Sequence, residues 1–207
     1  MLLLQPTYFA PIVQYIALSQ NDEVKYEIED NYQKQTYRNR CYIYGANGKQ
    51  MLNIPIVHTK IDIRKKTKDV KIDYSFPWSK LHIKTLQTAY RSSPYFEFYE
   101  DEILAVFNKK YKYLLDLNFE TIQVIADCLQ LERAFKKTTE YKLNYTDLID
   151  LRYLANAKSK REFTLKKYTQ VFGDRHGYIS NLSILDLLFN EGTNALQYLE
   201  EQKRIQI

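Results

Sequence analysis

Between Gln33 and Arg40 the chain reads Gln33-Lys34-Gln35-Thr36-Tyr37-Arg38-Asn39-Arg40, with three cationic side chains set among amides and hydroxyls. Arginine's planar fork pairs with carboxylate or phosphate through two parallel hydrogen bonds, and lysine adds a compact charge. At the end of a strand such a cluster can hold an anionic group. The competing reading is a surface loop whose arginines pair with Glu27, Glu29 and Asp30 close by in sequence.

A second candidate is the turn Gln5-Pro6-Thr7-Tyr8-Phe9-Ala10-Pro11. If a helix starts at its end, the first backbone N–H groups of that helix favour an anion. A plain proline-shaped connection explains the same residues equally well. His82 lies on the apolar face of a predicted helix, in register with Trp78, with Tyr90, Arg91, Glu97, Glu100 and Asp101 following. It is the best available general base, although a histidine in that setting is more often a satisfied core group. His58 and His176 have no comparable setting, and no pair of histidines has metal-ligand spacing. Asp186 and Asn190 sit four apart on the apolar segment SNLSILDLLFNEG, where burial would oblige them to find partners.

Several chemistries find no carrier. There is no glycine-rich phosphate loop, nucleophile elbow or HExxH motif, and five glycines make a glycine cradle hard to build. Cys41 and Cys128 stand alone, so no zinc or disulfide framework follows. No cofactor is indicated.

These residues need a frame, and the periodicity predicts an α/β one. Leu2 to Leu4 reads as a buried strand, Ile12, Tyr15, Ile16 and Leu18 as a helical stripe opened by Pro11, and Val24 to Ile28 as a second strand. That order is a βαβ unit opening a mixed sheet, with the ligand crevice expected at the strand ends. Cys41 to Tyr44 and Met51 to Ile56 flank Gly45-Ala46-Asn47-Gly48, the composition of a hairpin turn. Ile61 to Ile63 and Val70 to Ile72 are read as edge strands separated by basic residues.

The middle of the chain is helical. One helix follows Pro77, with Trp78, Leu81, His82, Leu86 and Ala89 on one face, a second runs from Pro94 through Phe107, and a third from Tyr113 to Leu131. Phe135 to Thr138 is a candidate strand, and the charged stretch Asp150 to Lys167 an extended excursion. Ser183 and Asp186 cap a last helix, Ile184 to Glu191, which Gly192 stops. Without a repeat or a Gly/Ser linker, residues 1–207 read as one domain.

Composition bounds the partners. A formal charge of +5 on 207 residues is mild, and the basic runs Lys60 to Lys71 and Lys158 to Lys167 lack aromatic interleaving, so they read as solvated loops rather than a nucleic-acid face. The 19 tyrosines suit half-buried positions; a stacking surface for bases or sugars is the minority alternative. No apolar run reaches membrane-spanning length and no signal peptide opens the chain, so a cytoplasmic location is expected.

Four blocks in series resemble one family: QPTYFAP, DNYQKQTYRNRCYI with LNIPI after it, WSKLHIKTLQTAYRSSPYFEFYED, and NLSILDLLFNEG. Together they are similar to the WbqC-like proteins, in the shorter version found in the Bacteroidetes group. Two departures stand out. Leu4 occupies the place of a histidine that longer members carry before QP, and the stretch from Tyr141 to Thr169 lacks their glycine-rich YLSG-type segment. The resemblance implies a role in bacterial surface-polysaccharide biosynthesis, with group transfer, of an aminoacyl unit to a sugar in one suggestion. It also raises His82 as the catalytic residue and Lys34, Arg38, Asn39 and Arg40 as ligand-binding residues, with Gln5 and Tyr8 of the opening turn expected to join them, the ligand being an anionic small molecule. The rival reading is a non-catalytic binding or assembly protein in which the same arginines form an internal ion-pair network.

Overall fold

Leu2, Leu3 and Leu4 are all fully buried, as befits a strand covered on both faces in the middle of a parallel sheet. In this computed structural model, which describes residues 1–58, 65–132 and 134–205, they form β1 (Leu2–Leu4). On one side β1 pairs in parallel with β2 (Glu23–Tyr26), in the register Leu2 to Val24, and β2 pairs in parallel with β5 (Ala134–Lys137). On the other side β1 pairs in parallel with β6 (Ile149–Asp150). The order is β5-β2-β1-β6.

The expected βαβ unit is present, with α1 (Ile12–Ser19) as its crossover. All of α1 is buried, which matches its almost uninterrupted apolar sequence. Its outer side is covered by α6 (Ile184–Glu191) and α7 (Ala195–Glu200). The start of α1 is closed by the protein itself. Ile12 N–H donates to the Leu182 carbonyl at 2.9 Å and Val13 N–H to Asn181 Oδ1 at 3.1 Å. The amides proposed from the sequence as an anion site are therefore already spent.

Antiparallel pairing is confined to a separate hairpin, β3 (Arg40–Gly45) with β4 (Gly48–Asn53). Gly45 pairs with Gly48, leaving Ala46-Asn47 as the two-residue turn, and Gly48 supplies the positive φ of 95°. Val70 to Ile72 is not a strand: a 3-10 turn over Thr67–Asp69 leads into isolated bridges from Lys71 to Tyr113 and from Ile72 to Ile56. Ile61 to Ile63 lies outside the described residues.

The helical middle comprises α2 (Trp78–Tyr90), α3 (Phe96–Ala105) and α4 (Leu114–Cys128). On α2 the buried face is Trp78, His82, Leu86 and Ala89, while Leu81 is 50 % exposed and leaves the stripe assigned to it. α3 begins two residues after Pro94 and ends in a 3-10 turn. The stretch read as an extended excursion starts instead at the end of β6, and continues through a 3-10 turn at Arg152–Ala155. A four-residue α5 (Gly173–His176) precedes α6, whose N-cap is Ser183 as expected. Gly192 ends α6 with φ 54°, and α7 after it was not anticipated.

Candidate functional site

The cationic block is held from both sides. Tyr8 N–H donates to the Tyr37 carbonyl, and Tyr37 N–H to the Ala155 carbonyl, so residues 36–38 are strung between the turn after β1 and the segment after β6. This clamp sends the arginines different ways, although they stand only two residues apart.

Arg38 points inward. Its guanidinium is 1 % exposed, and Nη2 donates to Asp30 Oδ2 at 2.5 Å. The same oxygen accepts from Gln5 Nε2 at 2.9 Å, and Asp30 Oδ1 accepts from Thr67 Oγ1 at 2.6 Å. Burial holds the Arg38 guanidinium below its ordinary value, while Asp30 pulls it back up. Arg38 is therefore not a free guanidinium waiting for an external anion; Asp30 neutralises it.

Arg40 points outward. It makes no ion pair among the described residues, and its Nε is buried without a hydrogen-bond partner. It lines a hollow of 370 Å³ with Lys34, Asn39, Tyr32, His58 and Asp73. Asn39 is fixed there by its amide, which donates to Asn53 Oδ1 at 3.1 Å and to the Ile54 carbonyl at 3.0 Å. Its own Oδ1 has no partner. Among the described residues Asp73 is the one acid lining this hollow. Its carboxyl is held below the ordinary range first by the Ser75 backbone N–H, with His58 contributing at longer range. Gln35, on the rim of the hollow, adopts φ 61°, a conformation that costs a non-glycine residue energy.

Tyr8 and His82 meet in the core. The Tyr8 hydroxyl lies 3.0 Å from His82 Nδ1, and both side chains are buried. Trp78, Phe107 and Tyr8 surround the imidazole with ring centroids 5.2, 6.2 and 5.8 Å away. Burial pushes the His82 pKa down to about 4, against a hydrogen bond to the Asn53 backbone. A neutral ring that gives its N–H to Asn53 accepts the Tyr8 proton at Nδ1. His82 is 2 % exposed and lines neither the Arg40 hollow nor the cleft described next.

A cleft of 480 Å³ opens at the carboxyl ends of the strands. Gln5 follows β1, Asp150 ends β6 and Arg152 lies just beyond, with Asp30, Gln33 and Arg38 opposite. Strand β1 connects to one side of the sheet while β6 lies on the other, and parallel sheets place their ligands at that reversal. Arg152 is paired in its turn. It donates to Asp150 through Nε at 2.9 Å and Nη2 at 2.6 Å, and stands 3.6 Å from the buried Glu27. The sequence offered one overlooked sign of this pair: an acid and an arginine flanking the buried Leu151.

The sequence-derived residues thus fall into three places. Gln5 and Arg38 share the Asp30 node at the strand-end cleft; Lys34, Asn39 and Arg40 share the outer hollow; Tyr8 and His82 form a core pair. Asp186 and Asn190 belong elsewhere. Asp186 accepts from Tyr90 at 2.8 Å, Tyr168 at 2.5 Å and Gln170 at 2.9 Å, and Asn190 donates to the Asp186 carbonyl. Among the described residues no group of three or more His, Cys, Asp or Glu side chains is placed to hold a metal ion, and no helix is long and apolar enough to cross a membrane.

Residues 5–162 match the family model described as the WbqC-like protein family. A curated relative, the uncharacterised protein Rv1507c of Mycobacterium tuberculosis, is 24 % identical over 197 residues, covering 81 % of this chain and 83 % of its own. No solved structure matches.

Proposed function

This chain belongs to the WbqC-like protein family, and from that premise we propose that it is a group-transfer protein holding a phosphate- or carboxylate-bearing donor against Lys34 and Arg40. One observation carries the reading: Arg40 faces a hollow with no acid bonded to it among the described residues and with a buried, unpartnered Nε. A desolvated N–H without an acceptor costs free energy that a bound anion would recover. Lys34 adds a second positive charge on the same wall, and Asn39, already fixed at its amide, turns an open oxygen toward a donor group on the ligand. Surface-polysaccharide biosynthesis, the setting implied by the family resemblance, supplies donors of this kind, since activated sugars carry phosphates.

The assembly-protein alternative draws its support from Arg38. That arginine is spent on Asp30, and its role is to hold the block in place. In the present reading the two arginines divide the work, Arg38 positioning and Arg40 binding.

Calorimetric titration with inorganic phosphate, pyrophosphate and a nucleoside diphosphate tests it. Wild type binds at least one of the three, and Arg40→Ala weakens that binding by roughly 10- to 100-fold, the equivalent of one charged hydrogen bond. Silence of the wild type across all three ligands, or equal binding by the variant, defeats the reading.

A further inference from the structure

The strand-end cleft differs in chemistry from the Arg40 hollow. Its charges cancel in pairs: Arg38 against Asp30, and Arg152 against Asp150. An anion entering it would meet two arginines already neutralised and two carboxylates, so the cleft does not select for negative charge. Among the described residues, two buried polar atoms there have no partner. Gln5 is 7 % exposed and its Oε1 has no partner; Arg38 is buried more deeply still and its Nε has none. Both side chains already bond the same atom, Asp30 Oδ2, and both line the cleft. One orphan is an acceptor and the other a donor, and they are anchored to a common oxygen. A hydroxyl group, which donates one hydrogen bond and accepts others, can satisfy both.

The rim adds an apolar face. Tyr141, 48 % exposed, rests on Arg152 at 5.5 Å from the guanidinium carbon to the ring centroid, and Tyr153 lies on the same wall. Gln33 and Asn156 bring further amide groups. Fixed donors and acceptors on one side and an aromatic plate on the other match an uncharged ring bearing several hydroxyls.

We infer that the cleft between the ends of β1 and β6 binds an uncharged polyhydroxylated ring of the monosaccharide class, with one hydroxyl seated between Gln5 Oε1 and Arg38 Nε. This site is independent of the Arg40 hollow and does not rest on the donor reading. If both sites are occupied, residues 32–36 form the wall between them, because Gln33 and Thr36 line the cleft while Tyr32, Lys34 and Gln35 line the hollow.

The test is a titration of the full ¹⁵N-labelled chain with methyl galactoside, methyl mannoside and methyl N-acetylglucosaminide, followed through the side-chain amide signals of Gln5 and Gln33. At least one glycoside is expected to move both signals with a Kd on the order of millimolar, as befits a single small ring. Tyr141→Ala, an exposed position that leaves folding intact, weakens that binding roughly tenfold, and Tyr141→Phe retains it because the ring face is kept. The inference is overturned if no glycoside moves these signals, if only N-methylacetamide does, or if Tyr141→Ala binds as well as wild type. Inorganic phosphate is titrated into the same samples. Glycoside binding leaves this site standing whatever the phosphate result, and the donor reading falls only if pyrophosphate and a nucleoside diphosphate are silent as well; phosphate binding without glycoside binding removes this site alone.

Discussion

Arg38 and Asp30 meet at 2.5 Å with both side chains almost wholly out of solvent, whereas Arg40, two residues further on, has no ion-pair partner among the described residues. The contrast assigns them opposite energetic roles. Removing one partner of a buried pair strands the other charge, which costs about 3–5 kcal/mol. Arg38→Ala is expected to lose that much in urea unfolding, with Asp30→Asn similarly affected. Arg40→Ala strands nothing and stays within ~1 kcal/mol of wild type. Equal losses for the two arginine variants would show that the pair is not what holds the block.

Much of the architecture was legible because its signals are local. Leu2 to Leu4 is an apolar run stopped by a proline two residues on; Gly45-Ala46-Asn47-Gly48 announces its own turn; Ser183 caps the helix that follows it. What was not legible depends on distant chain. Strand β6 is two residues long, and only its pairing with β1, nearly 150 positions away, makes it a strand. The fate of the arginines was hidden for the same reason. In a regular strand residues two apart share a face, so Arg38 and Arg40 should have pointed together. Regular pairing begins only at Arg40, and the clamp between Tyr8 and Ala155 turns Arg38 inward. The site at Arg152 was missed because the surrounding charges suggested a solvated excursion.

Ser183 links the first turn to the last long helix. Its Oγ donates to the Phe9 carbonyl at 2.8 Å and accepts from Leu185 N–H at 3.3 Å, so one hydroxyl both braces the turn and caps α6. Ser183→Ala is expected to cost about 2 kcal/mol, a cap plus one buried hydrogen bond. Ser183→Thr keeps the hydroxyl and recovers most of it. A loss below ~0.5 kcal/mol in the alanine variant, by chemical denaturation, would rule out this double role.

Asp186 makes stability depend on pH in the opposite sense to a surface carboxylate. Burial raises its pKa above the ordinary 3.8, even though Tyr168, Tyr90 and Gln170 all donate to it. Below 3.8 the group is protonated in folded and unfolded chains alike. As pH rises past that value the unfolded chain ionises first and gains, so its contribution to folding falls until the folded carboxyl ionises too. Asp186→Asn cannot ionise, and its stability curve lacks that fall. Wild-type and variant curves that run parallel from about pH 3.5 to 7 would contradict the raised value.

His82 works the other way. Its folded pKa is about 4, set chiefly by burial among Trp78, Phe107 and Tyr8, against an ordinary 6.5. Above 6.5 the imidazole is neutral in both states and contributes no pH dependence. Between 6.5 and 4 the unfolded chain takes up a proton that the folded chain refuses, so stability drops as the solution is acidified. The total across that window is about 3 kcal/mol, and it levels off once the folded ring also protonates. His82→Gln removes the titrating group while keeping a hydrogen-bonding side chain opposite Tyr8. It should be less stable than wild type at pH 7 yet lose far less on acidification. If His82 instead served as a general base open to a ligand, it would be solvated and would titrate near its ordinary value, and the two pH curves would run parallel between 6.5 and 4. Proton NMR of the His82 ring across the same range reads the distinction directly, because a buried neutral imidazole holds its shift until the protein begins to unfold.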